Sequence, residues 1–161
     1  MAFTTPCFVR VDDAEERKKL IEWLKEIGHN VCDCCLFDGW NTIHCNPLLH
    51  DSTFDVHGVP DNDIESGYNV EIFKHENSLK DRPSYDCGAN VQLFRALAAM
   101  NDENDLEQWF VVKKNISDYY DIDDIIYQKG DMFFNESGEP LVEKNFRKAT
   151  ADEIVEYFKK R

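Results

Sequence analysis

The sequence predicts a single α+β domain over residues 1–161, a mostly antiparallel sheet with about three helices. Short runs of β-branched and aromatic residues recur along the chain. Segments with apolar residues at helical spacing, two of them behind capping signals, stand near the start, in the middle and at the end. The two kinds of segment come in mixed order rather than in strict alternation, which favours an antiparallel sheet.

Cys7-Phe8-Val9-Arg10-Val11 is short, apolar and β-branched, and reads as a strand. It runs into Asp12 and Asp13, followed by Glu15 and Glu16 at the spacing of the reciprocal capping box. Leu20, Ile21, Leu24 and Ile27 then recur at helical spacing, and Gly28 can take the left-handed conformation that ends a helix. Residues 30–37 and 40–45 flank Asp38-Gly39, a dipeptide suited to a two-residue hairpin turn. That register sets Cys32 opposite Cys45, Cys34 opposite Ile43 and Asp33 opposite His44. Alternation places Cys32, Cys34, Leu36, Ile43 and Cys45 on one face, a core face.

Residues 46–67 are rich in Pro, Asp, Asn, Ser and Gly, hold His50 and His57, and read as a long loop of the kind that carries function. Tyr68–Phe73 alternates as a strand. Val91–Met100 is an apolar helix with Gln92 and Arg95 as its polar interruptions, so it should be buried. Gln108–Val112 reads as a strand. Met132–Asn135 and Leu141–Phe146 read as a hairpin around Glu136-Ser137-Gly138-Glu139-Pro140. Thr150 with Glu153 is a second capping box, and Ile154, Val155 and Phe158 form the stripe of a terminal helix.

With 18 Lys and Arg against 32 Asp and Glu, the formal charge of −14 repels phosphate backbones and anionic lipid. Neither a nucleic acid nor a membrane is therefore expected as a partner. The absence of a long apolar run and of a basic, apolar start makes a soluble, cytoplasmic protein the expectation. The six cysteines are then expected to be reduced.

Thr5 to Val11, Leu93 to Asp102 with Gln108-Trp109-Phe110, and Lys148-Ala149-Thr150 to Phe158 resemble segments of small uncharacterised proteins from bacteriophages and mobile elements of gut anaerobes. The resemblance implies an accessory phage protein acting in the host cytoplasm. It carries no catalytic motif.

Three constellations could carry chemistry. Cys32 and Cys35 with Cys45 and His44 (or His50) offer a tetrahedral zinc set, although Cys32 and Cys35 point to opposite faces of a regular strand. Cys87 stands at the start of the buried helix, where the peptide dipoles favour a thiolate. Asp86-Cys87-Gly88 resembles the nucleophile segment of the NlpC branch of papain-like hydrolases. In that family the base histidine follows the cysteine, whereas here no histidine lies beyond His75. The resemblance therefore implies a permuted hydrolase with His44 or His57 as base. Adjacent aromatics form the third constellation: on a strand, one of Trp109 and Phe110, and one of Phe133 and Phe134, must face away from the main core.

The reading that these residues favour is a non-enzymatic binding module without cofactor, and a possible homo-oligomer. It captures a small ligand or a host protein through Trp40, His50, His57 and Trp109, with interference in host defence as a possible purpose. The permuted hydrolase and a zinc-stabilised interaction domain are the alternatives.

Overall fold

Residues 3–31, 39–45, 56–59, 84–101, 107–117, 125–136 and 143–160 are described by the computed structural model. They form an α+β architecture with three helices and small, mainly antiparallel sheets, as the patterning predicts. Contacts gather into two compact units, Met1–Asp102 and Glu103–Arg161. Among the described residues, no helix is long and apolar enough to cross a membrane.

The first unit contains β1 (Cys7–Arg10), α1 (Ala14–Glu26), β2 (Thr42–Cys45), β3 (Val56–Val59), β4 (Tyr85–Asp86) and α2 (Val91–Ala98). Its sheet runs in the order β3-β2-β1-β4. β1 pairs antiparallel with β2, setting Cys7 opposite Cys45, Phe8 opposite His44 and Val9 opposite Ile43; on its other side it pairs parallel with β4. Cys7, Val9, Ile43 and Cys45 share one face, and Phe8 and His44 the other. All six are buried, so both faces are covered, and that is why β1 reads as a continuous apolar run rather than an alternation.

α1 starts where the acidic residues predict. Asp13 is its cap, with Oδ1 accepting from the Glu16 N–H at 2.9 Å, while Asp12 accepts from Arg10 Nε at 2.9 Å. Leu20, Ile21 and Leu24 are buried, each such side chain contributing roughly 1.5–3 kcal/mol. Arg17 joins them on the inner face, where its Nη1 donates to the Val11 carbonyl at 2.9 Å and to Asn41 Oδ1 at 2.7 Å, so the buried cation is hydrogen-bonded. α2 buries Leu93, Phe94, Ala96, Leu97 and Ala98. It packs on β1, as its apolar circumference predicts.

Two expectations change in this unit. The segment before Gly39, including Cys32, Cys34 and Cys35, lies outside the described residues, but both edges of β2 are already taken by β1 and β3. Cys45 therefore faces Cys7 and Val56, and the hairpin register that set it opposite Cys32 does not form. Within the expected loop of residues 46–67, Val56–Val59 is a strand whose backbone register sets His57 opposite His44. The remainder of that loop, with His50, and the expected strand Tyr68–Phe73 lie outside the described residues.

The second unit contains β5 (Gln108–Val112), β6 (Ile116–Ser117), β7 (Ile125–Tyr127), β8 (Met132–Asn135), β9 (Phe146–Lys148) and α3 (Ala151–Lys159). β5 is central in the order β8-β5-β9, and β6 pairs with β7. The expected hairpin between Met132–Asn135 and Leu141–Phe146 is thus replaced: β8 and β9 lie on opposite sides of β5. β5 has the longest run of β-branched and aromatic residues in this unit, and it takes the position buried on both sides.

The alternation argument holds here. Phe110 is buried at 4% exposure while Phe134 is 38% exposed. Trp109, on the same face as Phe134, is covered by α3, with ring centroids 4.7 Å from Tyr157 and 5.7 Å from Phe158. α3 begins with the predicted capping box, and Ile154 is buried.

Candidate functional site

β1 and β4 run parallel, and each leads through a short turn into a helix. β1 passes through Val11-Asp12-Asp13 into α1, and β4 through Cys87-Gly88-Ala89-Asn90 into α2. Gly88 takes φ +56°, its N–H bonds Asp86 Oδ1 at 2.9 Å, and its carbonyl accepts from the Arg10 N–H at 2.7 Å. The second turn is thereby tied to the end of β1. Asn90 Oδ1 caps α2 through the Leu93 N–H at 3.0 Å. Both helix starts consequently emerge side by side at the carboxyl ends of two parallel strands, the place where open sheets receive ligands.

A crevice of about 390 Å³ opens there, lined among others by Arg10, Asp12, Glu16, Lys19, Gln92 and Arg95. This is within the range of small-ligand sites. Two of its cations are paired: Arg10 with Asp12 at 2.9 Å, and Lys19 with Glu16 at 3.4 Å. Arg95 differs. Its guanidinium lies 5.0 Å from the centroid of the Trp23 ring, its Nε is buried without a hydrogen-bond partner, and no carboxylate pairs with it among the described residues. Stacking holds the group in place, and the Asp13 carboxylate, which caps α1, lines the same crevice.

The face of the sheet bearing Cys7 carries a second cluster. Cys7, Cys45 and Cys87 are in no disulfide and lie at 0%, 1% and 6% exposure, and His29 is buried at 4%. His29 Nε2 lies 2.9 Å from the Ala98 carbonyl, which can only accept, so Nε2 carries the proton. Cys45 Sγ lies 3.5 Å from Nδ1 and 3.7 Å from Nε2, over the face of the ring. Phe3 stacks on the ring at 3.8 Å. Burial, reinforced by hydrogen bonds with Cys45 and Cys87, pushes the Cys7 thiol well above the ordinary range and keeps it protonated.

The residues singled out from sequence are distributed differently. His44 and Cys45 are neighbours on β2 and point to opposite faces, with the His44 ring stacked on Phe8 at 4.3 Å, so one ion cannot take both. Cys87 follows β4, next to Cys7. His44 lies on β2 and the His57 backbone on β3, at the far edge roughly 14 Å across three strand spacings. The structure does not bring Cys87 together with either histidine. Trp40 is half-buried just ahead of β2, and Trp109 belongs to the aromatic layer under α3 in the second unit. Cys32, Cys35 and His50 lie outside the described residues.

Sequence reasoning missed Arg10, Arg95 and His29. The available signal for the crevice was the repeated grammar of Val11-Asp12-Asp13 and Gly88-Ala89-Asn90, each a strand exit that ends in a capping residue. The chain matches no protein-family profile, no curated protein and no solved structure.

Proposed function

We propose that this chain is a non-enzymatic binding module that holds a small organic anion, a carboxylate or phosphate, in the crevice between the starts of α1 and α2. The observation that supports the reading is Arg95: a guanidinium stacked on Trp23, lining a cavity, with its Nε unsatisfied and its charge unpaired among the described residues. A planar donor fork in that state matches a carboxylate or phosphate edge. The peptide N–H groups at the two helix starts add a favourable field for negative charge.

Titration calorimetry and ligand-observed NMR with a panel of mono- and dicarboxylates and mononucleotides test this. At least one should bind saturably to the wild-type chain. Arg95→Met keeps an unbranched stem on Trp23 and should weaken that binding roughly 10- to 100-fold, as expected for loss of a charge-assisted bond. Lys113→Met, in the other unit, should leave it unchanged. If no anion binds at millimolar concentration, or if Arg95→Met binds as well as wild type, the reading fails.

A further inference from the structure

Resting on the reading of the crevice as an anion site, we infer that its ligand is a zwitterion: an amino acid with an aliphatic side chain, its carboxylate on Arg95 and its ammonium on Asp13. The charges lining the crevice carry this. Arg10 is used on Asp12 at 2.9 Å, and Lys19 on Glu16 at 3.4 Å. One cation, Arg95, and one carboxylate, Asp13, are left over, and among the described residues neither has an ion-pair partner. They line the same cavity, yet no ion pair joins them.

Both groups are held where they stand. Arg95 lies against the Trp23 ring, 5.0 Å from its centroid, with Nε unsatisfied. Asp13 is fixed as the cap of α1, its Oδ1 accepting from the Glu16 N–H at 2.9 Å, while Oδ2 accepts nothing among the described residues. A simple carboxylate satisfies Arg95 but is repelled by Asp13, and a simple amine meets the reverse. A ligand that carries both charges satisfies both groups.

The rest of the lining selects the remainder of the ligand. Val11, Leu20 and Val91 give the crevice an apolar portion, of which Val11 and Leu20 are buried in the core. An aliphatic side chain loses water against these groups. A second carboxylate on the ligand instead meets Asp12, Asp13 and Glu16, so acidic amino acids are disfavoured.

Titration calorimetry of the full chain at physiological salt with L-leucine, its des-amino analogue isocaproate and L-leucinamide tests the inference. Leucine should bind roughly tenfold or more tightly than either analogue, the effect of one charge-assisted contact. Asp13→Asn keeps a side-chain oxygen for the cap and should abolish the advantage of leucine over isocaproate. Glu143→Gln, the same change of charge in the other unit, should preserve it. Arg95→Met should weaken leucine and isocaproate alike. The zwitterion is overturned, and the anion site stands, if isocaproate binds as tightly as leucine, if leucine fails where another anion binds, or if Asp13→Asn leaves the preference intact. If no anion binds at all, both readings fall together.

Discussion

Arg147 and Glu153 meet edge to edge, two guanidinium nitrogens on two carboxylate oxygens at 2.7 and 2.9 Å. The same carboxylate closes the capping box of α3 by accepting from the Thr150 N–H at 3.0 Å. The Arg147 bond, outweighing partial burial and aided by Thr150, lowers the Glu153 carboxyl to about 2. A depressed carboxyl stabilises the fold above its unfolded value, and this contribution is lost as pH falls from about 4.3 through 2. Both groups are partly exposed, at 47% and 32%, so solvent screening holds the contribution to about 0.5–1 kcal/mol. Arg147→Met should cost that amount at pH 7 in denaturant unfolding and nothing well below pH 2. Carbon-detected NMR should show the Glu153 titration moved up toward ordinary carboxylate pH in the variant.

Cys7 titrates in the opposite direction. Burial beside Cys45 and Cys87 raises it, so the protonated form suits the folded state and stability falls once pH exceeds the unfolded thiol value, about 8.5. Unfolding midpoints of the first unit, measured in the presence of a reductant and a chelator, should drop between pH 8 and 10. Cys7→Ala should flatten that decline while lowering stability at pH 7. An equally steep decline in the variant would assign the effect elsewhere.

Phe8 and His44 pack as a nearly parallel pair, 16° between planes, both buried at 2% and 0% exposure. Removing one ring leaves a cavity that a two-sided sheet cannot close. His44→Ala should cost about 2–4 kcal/mol in the denaturant midpoint, the range of large-to-small core changes. Binding of anions at the crevice should persist in the folded fraction.

Glu107 enters β5 at φ +59°, a left-handed conformation costly for a side chain with Cβ. Glu107→Gly should stabilise the second unit by up to about 1 kcal/mol, the strain relieved less the added freedom of the unfolded chain. Thermal unfolding compared with Glu107→Ala, which keeps the strain, checks this.

What the sequence made legible is what neighbouring residues decide. Asp13, Thr150 and Glu153 mark helix starts because capping acts within one turn, and the Phe133–Phe134 and Trp109–Phe110 pairs betray their faces because alternation is local. Asp38-Gly39 misled for the same reason: a turn dipeptide speaks for adjacent segments, while the partners of Ile43 are Val9 and Gly58. The crevice depends on Phe8 lying beside Asp86, a pairing between distant segments that no local pattern encodes. His29 lies one residue beyond the helix-ending Gly28, where nothing in the sequence pattern marks it as a partner of Cys45.

Because β1 is flanked by β2 on one side and β4 on the other, its order of synthesis differs from its order of completion. A ribosome delivers Cys7–Arg10 well before Tyr85–Asp86, so the nascent strand keeps one bonding edge unsatisfied until residue 86 has been made. Release before residue 86 leaves that apolar edge open to a neighbouring chain, and truncated products of this unit should cluster where the finished protein does not.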